Sequence, residues 1–382
     1  MSRTPLRILI DARVLGKGRK SGVEEYTRLL SEHLLAADHE NHYIFFTNGL
    51  RKPFFPETFE SKTNASRLAW RMPNKFLDFS NIVFHRPFLD RKAQADIVLS
   101  PNINLLSTSR KSKRIITFHD LSFLHFPEFY SWRARLWHVL QRYKRGADEA
   151  SAILTVSHFT ARDIVQTLRV PKEKVAVIYP GINPAYKKVS KEAVDDFRAR
   201  HGLKQPFILF VGVLEPRKNV ASIIRSFSVL KSKPAFHDLK LVFVGRKGWS
   251  YDTIFREITD SRAKDDIVLW GDGNYEELTC LYNACEALLY PSFFEGFGFP
   301  PLEAQMCGAP VVASNRSSTP EVLGDSALLV DPWNIDEQIA ALEAVIGNAS
   351  VRSRYIEKGF ENAKRFSWEK TARDVLNLFK TL

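Results

Sequence analysis

The chain has 382 residues, more than one ordinary hydrophobic core holds, so we expect two domains. With 45% hydrophobic and 26% charged residues and no low-complexity tract, its composition excludes extensive disorder. The net charge of +12 is one-sided: residues 1–180 contain 29 Lys+Arg and 17 Asp+Glu, whereas the remainder contains 26 of each. A positive field confined to the first half attracts anionic lipid, nucleic acid or acidic substrates.

No secretory or membrane-spanning segment is predicted. The first apolar run ends at Asp11 without a small-residue cleavage site, and no apolar run approaches the roughly 18 residues that span a bilayer. Cys280, Cys285 and Cys307 lack histidine partners at metal spacing, which predicts reduced structural thiols in a cytoplasmic protein. No His-x-x-x-His pair or carboxylate cluster indicates a metal, so we expect none.

Short apolar strands alternate with helical patterns along both halves of the chain. In the first half a helix is predicted over 23–37, and strands are predicted at 6–11, 43–47, 96–99, 115–118, 152–156 and 175–179. Residues 181–206 form a join that includes a charged helix with Gly202 at its C-terminal end. In the second half, strands are predicted at 207–212, 239–244, 267–270, 287–290, 310–313 and 327–330. This alternation predicts doubly wound α/β domains that bind ligands at the carboxyl ends of their strands.

The segment Glu295-Gly-Phe-Gly-Phe-Pro-Pro-Leu-Glu303 follows one of these strands. Its glycines allow the backbone to approach a ligand, and its prolines suit the first turn of a helix, where N–H groups bind anions. Each glutamate can accept paired hydrogen bonds from vicinal hydroxyls, so one is suited to a ribose and the other to a hexose. A helix-dipole partner and a surface residue would explain either glutamate alone, but not the whole pattern.

A second segment, Gly212-Val-Leu-Glu-Pro-Arg217-Lys218-Asn219, also follows a strand, and Asn219 is predicted to cap the next helix. Arg217 and Lys218 would then reach the diphosphate of a nucleotide sugar, where they stabilise the charge that develops on the leaving group. The bland alternative is a pair of solvated basic residues.

Two features of the first half are candidates for the same chemistry. His119 and Asp120 end the strand at 115–118, where the histidine can bond the transferred sugar or its acceptor. The Ser21-Gly22-Val23 junction offers backbone N–H groups to phosphate or sugar. The loop over 16–22 lacks the Gly-Lys-Ser/Thr order of a nucleotide-hydrolase phosphate loop, and no G-x-G-x-x-G follows a strand, which disfavours NTPases and nicotinamide dehydrogenases.

The helix predicted over 132–145 combines aromatic and aliphatic side chains with basic ones. Such a helix can lie on an anionic bilayer surface. An ordinary amphipathic helix packed on its own domain is the alternative.

Taken in order, these features resemble the family-4 retaining glycosyltransferases of GT-B fold. The resemblance covers essentially the whole chain and rests on Gly22, His119-Asp120, the segment 215–219, Glu295-x7-Glu303 and the stretch 314–321. Residues 315–332 are most similar to bacterial mannosyltransferases that build O-antigen and related surface polysaccharides.

The resemblance implies a fold of two Rossmann-like doubly wound domains that face each other across a cleft. Residues 1–185 would bind the acceptor and residues 186–366 the nucleotide sugar, with the final helix, 367–382, crossing back to the first domain. It implies that Lys218 and Arg217 hold the diphosphate, Glu303 the ribose and Glu295 the donor sugar. The implied donor-binding residues are Gly22, Arg217, Lys218, Glu295, Gly296, Phe297, Gly298 and Glu303, and the candidate catalytic residues are His119, Asp120 and Glu295.

One departure from the family pattern concerns the phosphate loop. Many members carry Gly-Arg there, whereas this chain has Gly212-Val213, so a phosphate or sugar contact is missing. The family needs no metal or other cofactor. Retention through a double displacement would require a carboxylate opposite the leaving group, and the sequence identifies none. Our hypothesis is a front-face reaction, in which the leaving diphosphate helps to deprotonate the acceptor.

The predicted function is transfer of mannose from GDP-mannose to a glycan or polyprenyl-diphosphate-linked acceptor, in the cytoplasm or at the inner face of the cell membrane. A UDP-sugar-dependent glucosyl-, galactosyl- or N-acetylglucosaminyltransferase shares the same motifs, and a nucleotide-sugar epimerase shares the two-domain fold. A non-catalytic binder of anionic lipid or nucleic acid through the basic half is the alternative of another class; motifs in both halves argue against it, and we expect no nucleic-acid partner.

Overall fold

The computed structural model describes residues 4–17, 21–50, 54–249 and 251–382. Part of the loop predicted before Gly22 lies outside the described residues, because 18–20 are not among them. The chain divides into two compact units, each built on a parallel sheet. The first contains the residues up to 125, 132–181 and 367–382, and the second contains 126–131 and 182–366.

A seven-stranded sheet forms the centre of the first unit. Its strands are β1 (Arg7–Asp11), β2 (His42–Asn48), β3 (Ala65–Trp70), β4 (Ile97–Ser100), β5 (Lys113–Phe118), β6 (Ala152–Thr155) and β7 (Val175–Val177). They lie in the order β3-β2-β1-β4-β5-β6-β7, so the order reverses between β1 and β4. Leu9 is fully buried and pairs with Ile44 on one side and Val98 on the other, because a central parallel strand is covered on both faces.

Helices connect these strands. They are α1 (Gly22–Ala37), α2 (Glu57–Glu60), α3 (Asn74–Val83), α4 (Leu89–Ala93), α5 (Ser122–His125), α6 (Trp132–Leu140), α7 (Tyr143–Glu149) and α8 (His158–Leu168). The start of α1 is fixed by Ser21, whose side chain accepts the backbone N–H of Glu24 at 3.2 Å. A core face with Leu29, Leu30 and Leu34 then buries the helix in its own unit.

The second unit has a six-stranded sheet of the same kind. Its strands are β8 (Phe207–Val211), β9 (Lys240–Val244), β10 (Ile267–Gly271), β11 (Ala287–Tyr290), β12 (Val311–Ser314) and β13 (Leu328–Val330). Their order is β10-β9-β8-β11-β12-β13, so the reversal lies between β8 and β11. In doubly wound sheets the crevice at such a reversal, outside the carboxyl ends of the strands, binds the ligand.

The helices of the second unit cover this sheet. They are α9 (Lys191–Arg200), α10 (Val220–Lys231), α11 (Tyr251–Asp260), α12 (Tyr275–Ala284), α13 (Phe299–Met306), α14 (Thr319–Leu323), α15 (Ile335–Gly347) and α16 (Ala349–Ala363). Gly202, two residues after α9, has a φ of 67°. This left-handed conformation is common after the last turn of a helix and is least strained at glycine.

The final helix, α17 (Trp368–Thr381), belongs to the first unit and packs against α1. Thr371 Oγ1 donates to the carbonyl oxygen of Tyr179 at 2.7 Å, and Trp368 is buried beside Tyr26. A Cβ added to Gly181 would overlap the backbone nitrogen of Trp368, so glycine permits this close approach.

Three features differ from the sequence prediction. The strand β3 was missed because it lies at the sheet edge, where residues of β3 are exposed or only partly buried and the apolar run is interrupted. The helix predicted over 132–145 is two helices, since Arg142 has a φ of 49° between α6 and α7. Residues 126–131 were assigned to the first domain but join the second unit, where Phe126 and Phe129 pack against Phe294 and Phe293.

Candidate functional site

The second unit gathers three of the predicted donor-site residues at its strand reversal. Arg217 and Lys218 lie on a short 3₁₀ turn, Pro216–Lys218, after β8, and Glu295 lies in the loop after β11. Because β8 and β11 are adjacent parallel strands, the loops that leave their carboxyl ends meet.

Lys218 and Glu295 form a buried ion pair. The Lys218 Nζ lies 2.5 Å from Glu295 Oε1 and donates to the Tyr290 hydroxyl at 2.7 Å. Lys218 is 8% exposed and Glu295 6% exposed. Burial removes the water around both charges, and the attraction between them opposes this desolvation cost.

Arg217 completes this charged cluster. Its Nη1 lies 3.3 Å from Glu295 Oε2 and donates to the carbonyl oxygen of Phe294 at 2.7 Å. Its Nη2 donates to Glu215 Oε1 at 2.8 Å. Two cations therefore meet two carboxylates at the carboxyl ends of the central strands.

The cluster sets the protonation of its members. Burial alone would raise the pKa of Glu295, but Lys218 and Arg217 lower it to about 2. Burial and the neighbouring Arg217 lower the pKa of Lys218, while Glu295 and Glu215 act in the opposite direction. Glu295 is therefore ionised at neutral pH and can accept hydrogen bonds from hydroxyl groups.

The loop that carries Glu295 is held by the chain after β12. The backbone N–H of Glu295 donates to Ser317 Oγ at 2.9 Å, and the Ser318 hydroxyl donates to the carbonyl oxygen of Glu295 at 2.9 Å. These serines lie in the stretch 314–321 that supports the family resemblance. Sequence reasoning gave them no role, because a serine in a loop carries no signal of its own.

The glycine loop leads directly into α13. Gly298 has a φ of 92° and precedes the helix, and a Cβ added there would lie more than 4 Å from every described atom outside its chain neighbours and the helix. Proline at 300 and 301 removes two of the N–H groups that an ordinary first turn presents, which leaves Phe299 as the donor among the first three helical residues. Phe297 is 5% exposed, and its ring packs against Phe299 and Phe366. Its predicted contact with the nucleotide sugar would therefore come from its backbone and not from its side chain.

The second glutamate of the motif has a different neighbour. Glu303 lies on α13 and is partly buried, and its Oε2 accepts the hydroxyl of Tyr282 from α12 at 2.8 Å. The structure thus separates the two carboxylates: one faces the basic cluster and the other faces a tyrosine. Tyr282 had not been predicted, because nothing in the sequence ties α12 to α13.

Asn219 corrects a sequence prediction. It stands at the start of α10 with a φ of 57°, but its side chain makes no capping bond to the helix. Its amide nitrogen instead donates to the carbonyl oxygens of Pro291 at 3.2 Å and Pro332 at 2.6 Å. Asn219 therefore ties the loop after β8 to the loops after β11 and β13, which outweighs the local cap.

In the first unit, His119 follows β5 and its Nε2 lies 2.9 Å from the carbonyl oxygen of Pro101. Because a carbonyl only accepts, Nε2 carries the proton, and Nδ1 of the neutral ring is an acceptor. Burial lowers the pKa of His119, opposed by the Pro101 carbonyl and by Asp120. The ring of Tyr26, from the helix that begins at Gly22, packs perpendicular to the imidazole, with 4.8 Å between the ring centroids.

The other two predicted residues of this unit have distinct surroundings. Asp120 Oδ1 accepts the backbone N–H of Ser122 at 2.9 Å and the Ser122 hydroxyl at 2.5 Å, an arrangement that starts α5. Gly22 is the first residue of α1, and a Cβ added to it would meet no atom of the described residues within 4 Å.

The helix α6 has no buried residue, contrary to an ordinary core-facing helix. Trp132 is 67% exposed and Val139 is 65% exposed. Within the described residues, no helix combines the length and the apolar character needed to cross a bilayer. In the same part of the chain, no group of three or more His, Cys, Asp or Glu side chains is arranged to hold a metal ion.

Comparison with known proteins identifies the class. The structure matches that of sucrose-phosphate synthase from Thermosynechococcus elongatus with a TM-score of 0.79 over 99% of each chain, at 20% identity, which establishes the GT-B fold. Residues 193–362 match the family model of the glycosyl transferases group 1, and residues 20–186 match that of Glycosyltransferase Family 4. The chain therefore belongs to the GT-B glycosyltransferases of family-4 type.

Two of the similar proteins are O-antigen mannosyltransferases. The chain is 28% identical to O-antigen chain mannosyltransferase B of Escherichia coli over 333 residues, which cover 87% of this chain and 81% of that protein. It is 30% identical to the O-antigen chain mannosyltransferase RfbU of Salmonella typhimurium over 217 residues, which cover 57% of this chain and 56% of RfbU.

Proposed function

We propose that this glycosyltransferase transfers mannose from GDP-mannose, with retention of configuration, to a glycan or lipid-linked acceptor of a bacterial surface polysaccharide. The observation that carries the proposal is the buried cluster of Arg217, Lys218 and Glu295 at the strand reversal of the second unit. The choice of mannose is supported by the similarity to O-antigen mannosyltransferases.

The cluster has the chemistry that a nucleotide sugar requires. The Lys218 ammonium has three protons, and its two acceptors among the described residues are Tyr290 and Glu295, so a third proton can meet a diphosphate oxygen. The ionised Glu295 accepts hydroxyl groups of the hexose, and Glu303 accepts those of the ribose. The N–H of Phe299 and the glycine loop before it add donors that cost no side-chain ordering.

The proposed reaction takes place on one face of the sugar. The bond from the anomeric carbon to the diphosphate breaks, the acceptor oxygen forms its bond to that carbon on the same side, and the acceptor proton passes to the leaving diphosphate. Arg217 and Lys218 stabilise the negative charge that the leaving group gains. Neutral His119 accepts a sugar hydroxyl through Nδ1. This scheme requires no metal or other cofactor.

The first unit supports a lipid-linked acceptor. All of the excess positive charge of the sequence lies in residues 1–180. The exposed side chains of α6 include Trp132 and Val139, and Phe76 and Phe79 are exposed on α3. Apolar side chains accompanied by basic ones bind an anionic bilayer surface. Replacing Trp132 and Val139 together by serine is expected to reduce co-sedimentation with phosphatidylglycerol vesicles, and unchanged binding would contradict membrane attachment through α6.

The donor is tested by thermal unfolding in the presence of GDP-mannose, UDP-glucose and the free nucleotides. A ligand at a hundredfold excess over its Kd stabilises the native state by about 2.7 kcal/mol. For the second unit, which has about 190 residues, this stabilisation raises the Tm by about 5–10 °C. A shift with UDP compounds alone would replace mannose by another sugar, and no shift with any nucleotide would return the non-catalytic alternative.

The variant Glu303→Gln refines this test. Glutamine keeps an acceptor for Tyr282 but pairs less well with two ribose hydroxyls, so we expect a near-normal Tm and a smaller shift with nucleotide. Glu276→Gln on the exposed face of α12 is the matched control, with an unchanged shift. Equal shifts in both variants would exclude Glu303 from the nucleotide site.

A further inference from the structure

A second candidate site lies in the first unit. A cavity of about 750 Å³ is lined by the loop over 105–112, by the start of β5, by α7 and by residues of the α3–α4 region. Arg114, in the second position of β5, is part of its lining, whereas His119 follows the end of the same strand. At about 3.3 Å per residue the two positions are about 16 Å apart along the strand, so the cavity is separate from the predicted reaction centre.

The lining of this cavity is strongly basic. Its Lys and Arg residues are Arg91, Arg110, Lys111, Lys113, Arg114, Arg142 and Arg145. Glu149 is the acidic residue among them, and its carboxylate pairs with Arg145 at 2.6 Å. Hydroxyl groups of Ser107, Thr108 and Ser151 add neutral polar atoms. The carboxylate of Asp90 accepts hydrogen bonds from Ser109 and Ser112, so it is already engaged beside the cavity.

Arg114 is the unusual member of this set. It is 5% exposed, yet its Nε has no hydrogen-bond partner, and no described carboxylate lies within ion-pair distance of its guanidinium. Among the described residues of this unit, the other buried arginine is Arg13, which is paired with Asp11 at 2.6 Å. Burial lowers the pKa of Arg114, opposed by the more distant Glu149 and Asp11. A buried cation without a partner is costly unless something else supplies the counter-charge.

The backbone of α7 lies close to Arg114. Gly146 of α7 faces it, and a Cβ added at that position would lie 4.0 Å from Arg114 Nη2 and 3.4 Å from Ile116. Arg142, at the junction of α6 and α7, is a further lining residue whose guanidinium forms no ion pair with the described residues.

We propose that this cavity binds the phosphate or diphosphate group of a ligand other than the sugar donor, with the guanidinium groups of Arg114 and Arg142 as its main donors. Guanidinium groups suit this ligand because their planar N–H forks match phosphate oxygens. The site shares no residue with the donor cluster, so a test of phosphate binding here is separate from a test of the proposed mannosyl transfer.

The test uses inorganic pyrophosphate, titrated into the full-length protein by calorimetry. The Arg114→Met variant is expected to weaken binding at the cavity at least tenfold and to keep or raise the Tm, because methionine removes an unpaired buried charge. Lys144→Ala, which removes one positive charge from α7 outside the cavity, is the matched control and is expected to bind as the wild type does. Pyrophosphate bound at the donor cluster would remain in both variants.

Arg142→Ala, in a less buried position, provides a second variant that should also lose affinity without loss of stability. Wild-type affinity in both cavity variants would overturn the proposal, as would a lowered Tm in Arg114→Met with pyrophosphate binding intact, which would make the arginine purely structural.

The source of the phosphate is decided with vesicles. Phosphatidic acid vesicles that bind the wild type but not Arg114→Met, and that pyrophosphate displaces, would identify a lipid phosphate. Vesicle binding equal in both proteins, with pyrophosphate binding lost in the variant, would identify a soluble phosphorylated ligand.

Discussion

The buried pair of Lys218 and Glu295 makes a strong prediction about stability. Lys218→Ala removes the cation 2.5 Å from a carboxylate that is 6% exposed. Breaking one side of a buried ion pair costs about 3–5 kcal/mol when the remaining charge is left without a partner. Because Arg217 Nη1 still lies 3.3 Å from Glu295 Oε2, we expect a cost at the lower end of that range. For a unit of about 190 residues, a cost of about 3 kcal/mol lowers the Tm by about 6–12 °C. The single variant therefore cannot by itself separate donor binding from folding.

A double variant separates the two effects. Lys218→Met together with Glu295→Gln removes both charges while keeping similar side-chain volumes, so we expect most of the lost Tm to return. Arg217 keeps its other carboxylate, Glu215, at 2.8 Å and is not left unpaired. The coupling between the two positions should then amount to several kcal/mol in a double-mutant cycle.

Thermal unfolding and sugar transfer are measured on the same preparations. The double variant is expected to be folded and inactive, since it lacks both the cation proposed to bind the diphosphate and the carboxylate proposed to bind the sugar. A Tm of Lys218→Ala within 1 °C of wild type would refute the ion-pair argument. A double variant with wild-type transfer activity would refute the assignment of the donor site.

The remaining predictions concern pH and single positions. The pKa of Glu295 is lowered from 4.5 to about 2, so its stabilising contribution, about 3 kcal/mol, is complete above pH 4.5 and is lost as the pH falls towards 2; acid unfolding of Glu295→Gln should lack this component. Gly298→Ala, at a φ of 92°, should cost about 1–2 kcal/mol and impair donor binding, whereas Gly347→Ala, at a helix end without a positive φ, should not lower the Tm. Burial lowers the pKa of His119, so the plot of activity against pH should show no inflection near pH 6.5. An inflection near pH 6.5 that disappears in His119→Asn would contradict this prediction.

The sequence alone predicted the architecture because periodicity is a local property. Short buried strands alternate with helices in both halves, and several motif residues follow a predicted strand. Parallel strands place their carboxyl ends at one edge of a sheet, so strand-end positions were enough to nominate Arg217, Lys218 and Glu295. The sequence did not predict β3, because this strand lies at the sheet edge, where partly exposed residues interrupt its apolar pattern.

Tertiary structure decided which of these residues meet. Lys218 and Glu295 are 77 residues apart and form a pair only because β11 lies beside β8 in the sheet, an order that no local pattern encodes. The same holds for Asn219, whose side chain serves distant loops and not its own helix. Arg114 carries no sequence signal at all, because an unpaired buried charge is defined by what is absent around it. Burial and pairing depend on neighbours distant in the chain, and only the folded backbone brings them together.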